Sequence, residues 1–211
     1  MIMRFESKIT GINPFWISAL LTGTFLFVCG TGGNNIKWGY LGFEILFPFY
    51  ASIVIGEWCK TRTDPMFDVI SAQGKSLFGW MVRRFILLFG TASIFACIGM
   101  VGAATIKQSN SVFDMLCVFW PPAFFLSSLC VFISLLSSIP HIPTMTVGVL
   151  WLFSIMAESL LRFPLIQYFY LFARYAGISN PLWIANKAVL LSIGAGLWLC
   201  IYLFCKKRTW G

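Results

Sequence analysis

The side chains able to do chemistry are few and scattered. One histidine, His141, sits in Ile139-Pro140-His141-Ile142-Pro143, where the flanking prolines make a tight turn the natural reading. Seven cysteines, at positions 29, 59, 97, 117, 130, 200 and 205, include no C-x-x-C pair. A structural or catalytic zinc needs several thiolates or imidazoles converging, so no metal site is expected. Glu44 and Glu158 fall inside long apolar runs, and ionisable groups in such places are functional candidates by default. Arg162 follows Glu158 by four residues, the spacing of a helical ion pair with the acid first. Glu44 has no such neighbour in the sequence and is the better candidate for lining a polar cavity. Intramembrane catalysis would need His, carboxylate and nucleophile groups to converge, and this set does not.

Two glycine-containing stretches imitate phosphate-binding loops. Gly74-Lys75-Ser76 has the right ending, but Val69 stands where the loop needs its first glycine, and no strand precedes it. Gly30-Thr31-Gly32-Gly33-Asn34-Asn35 follows an apolar helical run and reads as a turn. No nucleotide site is therefore expected on this chain.

The elements that must carry these residues follow from composition. The chain has 211 residues, 59% hydrophobic, 18% aromatic and 10% charged, with mean hydropathy +0.85. A soluble domain carries roughly 25% charged residues, and disorder needs low hydrophobicity. Both are excluded, and a polytopic membrane protein remains. A helix needs about 20 residues to cross the hydrocarbon. Six runs qualify or nearly so: 15–30, 39–58, 85–106, 115–138, 144–161 and 188–205. The fold expected is all-α, a single domain of six transmembrane helices. Asn13-Pro14 suits a helix start, and Pro121-Pro122 should kink the fourth helix. Arg4 and Lys8 before an apolar run imitate a signal peptide, but no small-x-small cleavage site follows, so this run is taken as a mature span. Gly99, Gly102 and Ala103, with Gly194 to Gly196, offer small faces for close helix packing.

The net charge of +8 then becomes an orientation signal. With the N-terminus cytoplasmic, Arg4, Lys8, Lys60, Arg62, Lys75, Arg83, Arg84, Lys206, Lys207 and Arg208 lie inside. Lys37, Lys107, Arg162, Arg174 and Lys187 lie outside. That asymmetry fits the positive-inside rule with both termini cytoplasmic, and the inner cluster suits anionic membrane lipids. No basic stripe sits on a soluble module, so nucleic acid is not an expected partner.

Two segments between spans carry content. From Glu57 to Arg84, Asp64-Pro65 should start a short amphipathic helix over about 64–76, ending at Gly74 to Ser76. Such a helix either lies on the bilayer surface or docks on a cytoplasmic partner. From about 162 to 187 the chain is rich in Tyr and Phe, yet too short between Arg162 and Arg174 to cross as a helix. A re-entrant or interfacial aromatic hairpin before the sixth span is expected there.

Six spans, a cytoplasmic amphipathic helix after the second, and an aromatic re-entrant segment before the last together resemble the ABC-2 class of ATP-binding-cassette exporter permeases, the type V exporter fold. The stretch Glu57 through Arg84 carries the resemblance locally: a Glu ending span two, a Thr/basic/acidic run, a coupling helix, then basic residues opening span three. The resemblance implies that 64–76 is the coupling helix and that Glu57, Arg62, Asp64, Phe67, Asp68 and Lys75 contact separate ABC ATPase subunits. It also implies that residues 1–13 are a shortened connecting helix, and that a second permease copy, identical or related, completes the pathway. ATP and Mg²⁺ would bind only the ATPase. Glu44, Glu158, Arg162, Tyr168 and Tyr170 are the pathway or gate candidates. The cargo expected is amphipathic or apolar: an antimicrobial peptide, lipid or drug, exported across a bacterial cytoplasmic membrane, in self-resistance by family analogy. The competing expectation is an autonomous channel or ion-coupled carrier.

Overall fold

The computed structural model describes residues 13–32, 35–59, 77–106, 112–172 and 182–208, and all regular structure in them is helical. We number the α-helices α1 (Asn13–Gly30), α2 (Asn35–Leu41), α3 (Phe47–Trp58), α4 (Leu77–Ile106), α5 (Val112–Leu136), α6 (Ile142–Met156), α7 (Pro164–Gln167) and α8 (Leu182–Arg208). A π-helical segment, Gly42–Leu46, joins α2 to α3, and a 3₁₀ segment, Ala157–Arg162, extends α6. Five stretches are long and apolar enough to cross a membrane: Asn13–Gly30, Trp38–Trp58, Leu77–Ile106, Leu116–Leu136 and Leu182–Lys206. The chain is a multi-pass membrane protein by that criterion.

Several boundaries differ from expectation, each for a physical reason. The third span starts at Leu77 rather than Phe85, so Arg84 lies inside α4 and not in a basic loop. Its guanidinium rests 3.9 Å from the Trp80 ring centroid, which lets the helix carry a cation there. The last helix starts at Leu182 rather than Ala188 and takes Lys187 inside the bundle, where it is 4% exposed. Lys187 is therefore no outer-loop charge. Helix α5 runs continuously from Val112 to Leu136 through Pro121-Pro122. Prolines are tolerated where neighbouring helices surround the freed backbone groups. The fifth run is α-helical only to Met156 and tightens to 3₁₀ from Ala157 to Arg162. The expected coupling helix, 64–76, lies outside the described residues, as do residues 1–12 and Arg174.

Helix α5 is the hub, packing against α3, α4, α6 and α8, while α1 lies on α4 and α2. One aromatic cluster stacks Phe25, Phe43, Phe47 and Phe119, with Phe43 and Phe47 centroids 6.1 Å apart and Phe47 and Phe119 at 5.5 Å. Polar side chains then tie the helices: Thr22 Oγ1 donates to Phe95 O at 3.2 Å, Tyr50 OH to Pro14 O at 2.8 Å, and Tyr40 OH to Ala103 O at 3.1 Å. His141 caps α6 as an exposed turn residue, and Gly32 takes φ +75° in the turn after α1.

Small residues let these helices approach, as in membrane bundles generally. A Cβ on Gly99 would run into the Phe43 ring and sit 3.0 Å from Thr22 Cγ2, whereas one on Gly196 would meet nothing within 4 Å. Overpacking a tight site costs about 1–3 kcal/mol. Gly99→Leu should therefore lower the thermal unfolding midpoint in detergent by several degrees, with Gly196→Leu close to wild type. Equal midpoints for the two variants would contradict this packing.

Candidate functional site

Three interruptions of regular helical hydrogen bonding meet in one region. The first is the π segment. Pro48 has no N–H for Glu44 O four residues back, and its ring crowds that carbonyl. The turn widens instead, with Phe47 N–H bonding Gly42 O. Such π turns often mark functional sites. Trp151 of α6 donates from Nε1 to Ile45 O at 2.9 Å, and its ring stacks on Phe49 at 4.5 Å between centroids. Glu44 sits in this turn, 6% exposed.

The second interruption is the proline pair of α5. Pro121 removes the N–H that would bond Cys117 O. The third is residues 163–172, hereafter the strap. After the 3₁₀ turn it forms α7, turns, and tucks Tyr170, Leu171 and Phe172 beside Leu126, Cys130, Val147 and Leu190. Backbone buried in an apolar setting must find partners. Gln167 Nε2 donates to Leu161 O at 2.7 Å. Asn186 Nδ2 donates to Gln167 O and Tyr170 O, both at 2.8 Å, and Lys187 Nζ donates to Leu171 O at 3.1 Å.

Lys187 joins the three. Its electrostatic neighbours are Glu44, from the π turn, and Cys117, beside the proline gap. A buried ammonium is tolerated only with an opposing charge and hydrogen-bond partners, and here Glu44 and the strap carbonyl supply them. Asn186 is fully buried, and its Oδ1 has no hydrogen-bond partner among the described residues. Comparison offers no template for this arrangement. No family model, curated protein or solved structure matches the chain.

The pathway candidates divide accordingly. Glu44 and Tyr170 are brought into this region, Tyr170 being 4% exposed, while Tyr168 and Arg162 lie at the surface. Glu158 falls in the 3₁₀ segment Ala157–Arg162. Asn186 and Lys187 were missed as site residues because Lys187 was assigned to a loop. Their signal was position: both lie one turn into an apolar run starting at Leu182. For the π turn the signal was Pro48, four residues after Glu44.

Of the expected partner-contact residues, Glu57 is half-buried in the last turn of α3. Arg62, Asp64, Phe67, Asp68 and Lys75 lie outside the described residues. The structure does show how the chain flanking them is held. Arg84 Nη1 donates to Trp58 O at 3.1 Å, and Ser134 Oγ donates to Cys59 O at 3.4 Å. The end of α3 is thus pinned to both α4 and α5.

Leaving a buried carbonyl unpaired costs about 1–3 kcal/mol. Trp151→Phe keeps the ring against Phe49 but removes the donor to Ile45 O. It should lower the thermal midpoint by a few degrees, while Trp38→Phe, at a side chain 67% exposed, should not. A Trp151→Phe midpoint matching wild type would show that the π turn does not depend on that bond.

Proposed function

We propose that the chain is the transmembrane permease subunit of an ATP-driven exporter of the ABC-2 class, moving an amphipathic or apolar cargo out of a bacterial cell. The observation that carries the reading is the strap between α6 and α8, one short helical turn followed by irregular chain whose last three residues are buried. It matches in kind the re-entrant aromatic segment that the family resemblance implies before the last span. Helix α6 alone, 15 residues, reaches about 22 Å at 1.5 Å per residue. The six-residue 3₁₀ continuation adds about 12 Å, enough together for a sixth crossing. An even number of crossings keeps both termini on one side, which this reading takes as the cytoplasm from the positive-inside excess. Taking Arg83 and Arg84, both inside α4, from the inner basic set and Lys187 from the outer leaves eight against four, still an inner excess.

In this reading 64–76 docks on a separate ATPase subunit, which binds ATP and Mg²⁺, and two permease copies enclose the pathway. Motion at the docking helix enters the bundle through Arg84 and Ser134 as a rigid-body shift. The pinned end of α3 supports that route, since a loosely held helix end would absorb the displacement.

A second reading, an ion-coupled carrier, is favoured by one observation: Glu44 in a π turn acting on buried Lys187 beside interrupted backbone. Two experiments separate them. Purification from the native membrane should recover a soluble-type ATPase subunit, and replacing Asp64 and Asp68 together by Lys should abolish that association without preventing membrane insertion. Recovery of an active chain with no ATPase, or intact assembly and export by the doubly substituted chain, would refute the exporter reading. Flux into vesicles lacking ATP, abolished by Glu44→Gln, would establish the carrier instead.

A further inference from the structure

Asn186 and Lys187 do more than cap a loose segment. Three hydrogen-bond donations converge on carbonyls of Gln167, Tyr170 and Leu171, in a region lined by Leu126, Val147 and Leu190. Because Nδ2 is committed to two carbonyls, the Asn186 amide has a fixed orientation, with Oδ1 as a buried acceptor that the strap leaves unmet. The Lys187 ammonium carries three N–H groups, and its hydrogen bond among the described residues is the one to Leu171 O. The strap therefore fills this region without satisfying it. An occupant bringing both carbonyls and an N–H would satisfy it better, and unmet buried polar groups favour that exchange.

We infer that Asn186 and Lys187 form a peptide-binding subsite, self-occupied by residues 167–172, whose outside ligand is an apolar peptide with accessible backbone groups. Charge and hydrogen bonding select that class. An anionic amphiphile adds a second negative charge beside Glu44, and a cationic one faces Lys187. A fatty acyl ester supplies acceptors but no donor for Asn186 Oδ1. A peptide backbone is neutral, alternates donor and acceptor, and carries the apolar side chains these walls accept. That such a peptide is cargo rests on the transport reading; that it binds does not.

The test uses the purified full-length chain in detergent, without ATPase, and the probe N-acetyl-Tyr-Phe-Tyr-Leu-Phe-amide, which copies strap residues 168–172. Tryptophan fluorescence titration should show saturable binding. Asn186→Leu and Lys187→Met should each weaken it about tenfold, the effect of roughly one lost hydrogen bond to a buried site. Leu20→Ala, at a side chain 68% exposed on α1, should bind as wild type does. A second measurement covers variants that do not fold. In Leu171→Cys, the peptide should displace the strap and increase maleimide adducts, counted by intact mass against the wild-type chain. The inference is overturned by absence of saturable binding, by equal binding in the folded Asn186→Leu and Lys187→Met variants, by no gain of labelling at position 171, or by dodecanoate competing as well as the peptide. If no ATPase co-purifies but the peptide binds as described, the energy source has been misread and the subsite stands.

Discussion

In an apolar surrounding, a peptide group that leaves the helical ladder must be given a partner by something else. Much of this molecule is arranged around that requirement. Pro48 forces α2 and α3 to join through a widened turn, and Trp151 reaches across from α6 to donate to Ile45 O within it. Beyond α7 the strap leaves the helix, and α8 answers with an amide and an ammonium. Once an ammonium is used as a backbone donor inside a bundle, a counter-charge is needed, and Glu44 in the π turn provides it. The separate irregularities thus form one electrostatic and hydrogen-bonded unit, held by four segments of chain distant in sequence.

The spans were legible because hydrophobic run length is a direct physical requirement of the bilayer, independent of tertiary detail. The turn at His141 and the small faces at Gly99, Gly102 and Gly194 were legible for similar local reasons: proline flanks, and side chains too small to hold helices apart. Span ends were less so where charge was read as solvent exposure. Arg84 stacks on Trp80 and bonds Trp58 O, and Lys187 bonds Leu171 O, so both cations are accommodated inside helices by partners that hydropathy does not weigh. Half the site was visible as an isolated carboxylate, Glu44. The other half needed the fold, because nothing local announces that the chain around 167–172 returns to the start of the following helix.

The distribution of packing sets the division of labour. α3 and α5 are enclosed, whereas α1 and α8 turn large faces outward, with Trp16, Leu20 and Phe27 on one and Leu199 and Leu203 on the other. Outward apolar faces are what lipid requires and need no protein partner. Helix α8 supplies the strap's donors from its first turns, and farther along Trp198 Nε1 donates to Ser128 Oγ at 3.1 Å.

That division has a consequence for how the chain is made. The strap carbonyls leave the ribosome 16 to 19 residues ahead of the side chains that receive them. Until α8 has entered the bilayer, those carbonyls lack the Asn186 and Lys187 donors they pair with in the folded chain. Arrival of α8 brings Asn186 and Lys187, and with them the first opportunity for the strap to become dry. Insertion of α8 is therefore the step that dries the strap, and a defect at its first turns would leave an aromatic segment stranded at the membrane surface.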